Sequence, residues 1–291
     1  MKKESDFLLK SEFAKNSRFI IDIHTKIEQI NRWIFLSDLY NKWIDSKKSN
    51  EKEKQRIPKI IHHIWLGSPL PKKYFEFINT WKTKNPEWKF ILWDEKKLED
   101  LDMINKDLFL KLNNYGAKSD VARLEILYKL GGFYFDTDFE CFKKIDEELL
   151  FNDFIAGTVF NSFPELANGF LAAKPFSKFI YRCLEDLKKI KKTNLISSEI
   201  IEKTGPFFLT RTFFSYCEEK NIDNENILIL PTNYFYPLPS YLKFCRLEEV
   251  YKYQTNKSIA IHHWESSWNN LTLVDRLKVK FKKLFFPKNY I

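Results

Sequence analysis

Apolar residues recur along this chain at two different spacings, and the switches between them outline its elements. Phe19, Ile20, Ile23, Ile27, Ile30 and Ile34 follow a helical spacing that gives way to a charge-rich run over 46–56. Residues 1–56 therefore read as a helical N-terminal extension and solvated linker. Pro58 precedes 59–66, an apolar, β-branched run closed by Gly67, and 89–93 is a second short run closed by Asp94. A helix is expected after Pro71, and strand, helix, strand predicts a parallel pair. Across 117–130 the apolar positions 121, 124, 127 and 130 fit an amphipathic helix stopped by Gly131-Gly132. Residues 133–135 then form a strand running straight into Asp136. Further strands are predicted at 154–159, 169–173, 227–230 and 258–263, with helices near 176–190 and 206–217. The alternation predicts one α/β domain over 57–270.

Composition narrows the partners. Aromatic residues make up 17% of the chain and glycine only 7 positions, which argues against disorder and repeats. A net charge of +9 suits an anionic partner: nucleic acid, acidic lipid or a nucleotide diphosphate. The aromatics fall within apolar core runs and no nucleic-acid recognition motif occurs, so nucleic acid is the least favoured of the three. Cys141, Cys183, Cys217 and Cys245 are widely spaced, which argues for reduced thiols rather than a zinc site or disulfide framework. The start lacks the apolar core and cleavage site of a signal peptide, and no run approaches the ~20 apolar residues that span a bilayer. The expectation is a cytoplasmic protein, soluble or peripheral on the inner face of the membrane.

The chemistry concentrates around residues 120–138. In an extended chain Asp136 and Asp138 project to the same side, just past a strand. Two such carboxylates repel, and a divalent cation bridging to phosphate oxygens is their natural partner. Alone, this pattern also fits a surface turn. Its context adds weight, because Gly131-Gly132 and the apolar 133–135 leave the carboxylates at the C-terminal edge of a sheet, where open α/β folds bind ligands. Asp120 and Arg123, three residues apart, share a helix face. They form either a surface ion pair or a site in which Arg123 neutralises phosphate and Asp120 accepts a bond from a sugar hydroxyl.

The blocks 57–67, Pro86-Glu87-Trp88 with Trp93, 117–123, 131–138, Thr204-Gly205-Pro206 and 262–268 occur in an order that resembles glycosyltransferase family 32, whose members carry a sugar-binding DXD motif. The chain is similar also to the catalytic domains of clostridial glucosylating toxins and to yeast outer-chain mannosyltransferases. The resemblance spans about 57–270. It implies a GT-A fold, with a Rossmann-like mixed sheet flanked by helices, a UDP- or GDP-sugar donor, Mn2+ or Mg2+, and transfer with retention at the anomeric carbon. It further implies that Trp65 lies near the base, that Asp120, Arg123, Tyr134 and Asn168 line the donor site, that Asp136 faces ribose or metal, and that Asp138 ligates the metal directly. His262 or His263 is a candidate to complete the cation's shell, which would favour manganese. Adjacent histidines on a strand face opposite ways, so at most one of that pair reaches the site. His62 and His63 read as packed strand histidines. Ser267 and Trp268 belong to a segment the family places over the donor; Trp268 is either a lid or a core aromatic.

The reading that follows is transfer of a hexose or N-acetylhexosamine to a glycan or lipid-linked glycan acceptor, in bacterial surface polysaccharide synthesis such as capsule or lipopolysaccharide. A toxin-type protein glycosyltransferase is the alternative. A metal-dependent hydrolase would need a positioned base that is not evident. The C-terminal tail, 271–291, interleaves apolar and basic residues over 274–286 and is either a terminal helix packed on the domain or a contact with an anionic membrane surface.

Overall fold

The computed structural model of the chain describes residues 12–16, 26–47, 54–159, 163–242 and 247–265. Two helices come first, α1 (Glu12–Asn16) and α2 (Ile27–Ser46). The α2 helix buries Trp33, Leu36, Tyr40 and Trp43 in the same core as the sheet, and its Tyr40 hydroxyl lies 3.1 Å from that of Tyr234. This part of the N-terminal extension is thus packed on the domain rather than held off it.

Next come β1 (Ile60–Ile64), α3 (Lys72–Lys84) and β2 (Lys89–Trp93), with β1 and β2 parallel in the register His62 to Ile91. Two short helices, α4 (Glu95–Glu99) and α5 (Lys106–Lys111), lead to α6 (Tyr115–Leu130). Asn114 caps α6 by accepting from the Gly116 and Ala117 N–H groups. The helix stops at Gly131, at φ +63°, and β3 (Gly132–Phe135) starts at once with Gly132 at φ +101°. A Cβ on Gly132 would come within 2.7 Å of the Ile60 carbonyl oxygen, so the double glycine lets β3 enter the sheet tight against β1.

The remaining elements are β4 (Phe139–Cys141), β5 (Phe154–Thr158), β6 (Leu166–Ala173), α7 (Lys178–Leu187), α8 (Ser197–Lys203), α9 (Pro206–Glu219), β7 (Ile227–Leu230), α10 (Leu247–Val250) and β8 (Ala260–His262). Six strands form one sheet in the order β2-β1-β3-β6-β5-β7. The pairs β1/β2, β1/β3 and β5/β7 are parallel, whereas β6 runs antiparallel to both β3 and β5. The sheet is therefore mixed and flanked by helices, as the GT-A expectation requires. The strand predicted at 258–263 does not join it. As β8, it pairs antiparallel with β4 in a separate two-stranded ribbon, with His262 opposite Phe139. Trp81 of α3 closes this region, its ring 3.9 Å from that of Phe135 and its indole N–H donating to the Phe139 carbonyl.

Candidate active site

Parallel pairing of β1 and β3 brings Trp65 and Asp136, each just past its strand, to one edge of the sheet. The antiparallel β6 starts at that edge, where the Asp136 N–H donates to the Gly169 carbonyl at 2.8 Å. A cleft of about 410 Å3 opens there, and Trp65, Asp120, Arg123, Tyr134, Asp136, Asp138, Asn168 and His262 all line it. His263 does not, and Ser267 and Trp268 lie outside the described residues.

The two carboxylates reach the cleft by a route different from the expected extended strand. The chain turns after Phe135, and the Phe139 N–H closes back onto the Asp136 carbonyl at 3.2 Å. His262 then arrives from β8, its Nε2 3.0 Å from Asp138 Oδ1 and 3.9 Å from Asp136 Oδ2. One ligand atom from each of Asp136, Asp138 and His262 lies within 4.8 Å of the others. The other oxygen of Asp138 accepts the Glu265 N–H at 2.7 Å. Burial raises the Asp136 pKa, opposed by Arg123 and reinforced by the charge of Asp138. Burial acts the same way on Asp138, but His262 and the Glu265 amide outweigh it and hold that carboxyl below its ordinary value. On His262, burial works against the charged form, and the Asp138 carboxylate more than offsets it.

His263 faces the other way, as strand alternation requires. Its ring stacks on Phe77 at 4.5 Å and 7°, and its Nε2 is 3.0 Å from Glu140 Oε2. The upstream pair is packed in the sheet, with His62 Nε2 beside the Gly131 carbonyl and His63 Nδ1 beside that of Phe135.

Asp120 and Arg123 are buried, at 6% and 5% exposure, so they are not a surface ion pair. Arg123 Nη2 is 3.0 Å from Asp120 Oδ1 and 3.4 Å from Asp136 Oδ1, and the guanidinium lies over the Tyr134 ring. Its Nη1 donates to the Asn168 carbonyl, while the Asn168 side-chain amide donates to Asp120 Oδ1 at 2.8 Å. Burial pushes the Asp120 carboxyl up to about 6, with Arg123 as the main opposing influence. Tyr134 donates its hydroxyl to Asp136 at 2.6 Å. A positive charge is thus fixed between two carboxylates at the floor of the cleft.

Several residues join this network without a sequence signal that assigns them a role. Thr204 donates to Asp120 Oδ2 at 2.8 Å, and its place in the Thr204-Gly205-Pro206 block is the one hint. The Glu265 carboxylate is bonded to Lys73 and Tyr74 of α3, and Tyr74 lies against Trp65 with ring centres 4.8 Å apart. Gly169 keeps space open beside the cluster, since a Cβ there would sit 2.8 Å from Asp136 Oδ2.

Residues 71–158 match the family described as glycosyltransferase sugar-binding region containing DXD motif, and 172–285 match the alpha 1,4-glycosyltransferase conserved region. The chain is similar to inositol phosphoceramide mannosyltransferase 1 of Schizosaccharomyces pombe, 28% identical over 62% of this chain and 57% of that protein. It is also similar to mannosyl phosphorylinositol ceramide synthase SUR1 of Saccharomyces cerevisiae, 30% identical over 65% and 50%. It spans about half the length of these relatives. Among solved structures, the catalytic domain of alpha-toxin from Clostridium novyi is similar over 97% of this chain and 96% of its own at 11% identity, with a TM-score of 0.48. The two family matches meet the resemblance found in the ordered sequence blocks: residues 71–158 are similar to the sugar-binding region of the DXD-motif glycosyltransferases.

Proposed function

We propose that the chain is a metal-dependent, retaining glycosyltransferase that moves a hexose or N-acetylhexosamine from a nucleotide-sugar to a glycan or lipid-linked glycan. The observation that carries this reading is the meeting of Asp136, Asp138 and His262 within 4.8 Å in a cleft whose floor is the Asp120–Arg123 pair. Two carboxylates and an imidazole suit Mn2+ or Mg2+, the imidazole favouring manganese, and Gly169 leaves room beside Asp136. Bound there, a divalent cation would neutralise charge on the leaving diphosphate.

The protein's own groups account for the remaining requirements. Arg123, fixed by Asp120, Asn168 and Ser119, holds positive charge without reorganising when negative charge develops on the leaving group. Asp120 and Asn168 offer acceptors for sugar hydroxyls on the cleft floor. Trp65, at the end of β1 and braced by Tyr74, offers a face for the base. No side chain is assigned as a base, in keeping with attack on the same face assisted by the leaving phosphate.

The relatives named for inositol phosphoceramide favour a lipid-linked acceptor. Within bacteria that corresponds to surface polysaccharide synthesis, with a protein acceptor as the second reading. The test is a screen of nucleotide-sugars for a manganese-dependent rise in melting temperature, followed by turnover of the best binder. A panel of UDP- and GDP-sugars that neither stabilises the protein nor is consumed would overturn the proposal.

A further inference from the structure

Large apolar side chains stand in solvent on the segments that lead into the cleft wall. Leu110 is 58% exposed, Tyr115 52%, Ile196 64% and Phe207 41%. One exposed apolar residue is ordinary on a protein surface, whereas a group of them on neighbouring segments marks an interaction surface. The fold, rather than the sequence, makes them neighbours. The Asn113 side chain bonds to that of Asn194 at 2.5 Å and accepts the Leu195 N–H at 3.1 Å. This seats the turn between α5 and α6, which Leu110 and Tyr115 flank, against the segment that carries Ile196. Tyr115, Ile201 and Pro206 form part of the cleft wall, and Phe207 follows Pro206 in the first turn of α9.

The charge around this rim is mainly basic. Across 106–115 and 191–207, Lys106, Lys111, Lys191, Lys192 and Lys203 stand against Asp107, Glu199 and Glu202, which leaves the rim net positive. Glu199 is engaged by Lys192 and Lys203. Projecting apolar side chains with cationic neighbours match an anionic bilayer surface, the former entering the acyl boundary and the latter meeting headgroup charge. A polypeptide partner would have to bring carboxylates into register with particular lysines, whereas an anionic bilayer meets a net positive apolar rim without any register.

We propose that this rim seats the chain on an anionic lipid bilayer, with the cleft mouth facing the headgroups, so that a lipid-linked acceptor reaches the donor without leaving the membrane. The purpose of the docking rests on the glycosyltransferase reading, while the docking itself rests on the rim alone.

Cosedimentation of the full chain with phosphatidylcholine vesicles, with and without phosphatidylserine, tests this. The parent should bind the acidic vesicles and release as salt rises. A Leu110→Ser, Ile196→Ser, Phe207→Ser variant, keeping its C-terminal tail, should bind about tenfold or more weakly. Its melting temperature and its donor hydrolysis in vesicle-free buffer should match the parent's. A parent that ignores acidic vesicles overturns the proposal, as does a variant that binds as the parent does. So does a variant that melts lower with vesicle binding unchanged, since the rim would then be covered by the chain itself. Rim-dependent vesicle binding by a protein that consumes no nucleotide-sugar would sink the transferase reading and leave the docking surface standing.

Discussion

The imidazole Nε2 of His262 lies 3.0 Å from Oδ1 of Asp138 across 124 residues of chain, because β8 pairs with β4 and sets His262 opposite Phe139. If these two groups share a cation, each should be needed for cation-dependent turnover. Asp138→Asn deletes a ligand charge with almost no change in volume, and His262→Ala deletes the nitrogen ligand. Each should lower manganese-dependent donor turnover by about 100-fold or more, the scale of losing one charge-stabilising group. Parental turnover by Asp138→Asn at saturating manganese would remove the cation from this position.

His263 provides the internal control. Its ring is stacked on Phe77 and hydrogen-bonded to Glu140, away from the cluster. His263→Ala should therefore lower stability by about 1–3 kcal/mol through lost packing and an orphaned partner. The manganese concentration giving half-maximal turnover should stay where it is. A large shift in that concentration, with an unchanged urea midpoint, would exchange the roles of the two histidines.

Arg123→Ala carries a cost that its sequence position does not suggest. Helical spacing expects a group whose loss harms transfer more than folding. In the structure the guanidinium is buried between Asp120 and Asp136, and removing it leaves Asp120 without its cation and Asp136 with His262 alone, 3.9 Å away. Breaking a buried ion pair from one side costs about 3–5 kcal/mol. The variant should lose stability as well as turnover, and adding Asp120→Asn should recover part of the stability. Urea unfolding of the two single variants and the double variant measures the coupling. Strict additivity would mean that Arg123 and Asp120 do not act as a pair.

These contrasts follow what a sequence can and cannot carry. The strands β1, β2, β3, β5 and β7 were legible because each is a short run dominated by apolar and β-branched residues with turn or helix residues beside it. The β4 strand was not, because Phe139, Glu140 and Cys141 are too few to show a period. Nor does the run Leu166–Ala173 say that its strand reverses direction, since its polarity is set by the short return from β5, with which it pairs antiparallel, and not by the run itself. In the site, Asp136 and Asp138 are close in sequence and could be read there. Thr204 and Glu265 could not be assigned roles, because they meet Asp120 and Asp138 only through the packing of α8 and of the segment after β8.

The buried histidines of β1 set the last prediction, a contribution to stability that is lost in mild acid. His62 is locked in its neutral form, since Nδ1 accepts the Trp93 indole N–H at 3.1 Å and Nε2 then donates to the Gly131 carbonyl. His63 donates from Nδ1 to the Phe135 carbonyl, and its buried Nε2 has no hydrogen-bond partner among the described residues. Burial is the main cause that lowers both, His62 to about 4 and His63 to about 3. In the unfolded chain both titrate near the ordinary value of about 6.5. Below that value the unfolded state takes up protons that the folded state refuses, so stability is complete above it and is lost as pH falls towards 4 and then 3. Each histidine contributes a slope of about 1.4 kcal/mol per pH unit well inside that window. Asp120 works in the opposite sense, because its folded value of about 6 lies above the unfolded one, and protonation there favours the fold as pH drops. Asp136, Glu125 and His262 are also raised and act with Asp120, so the histidines' share is read as the difference in slope between the parent and a variant lacking one of them, about 1.4 kcal/mol per pH unit for one histidine well inside the window. Between about pH 6 and 4 the urea midpoint of His62→Gln should fall less, or rise more, on acidification than the parent's, from a lower starting value at about pH 7. A His62→Gln variant whose midpoint follows pH with the parent's slope would mean that His62 takes up its proton within the folded sheet.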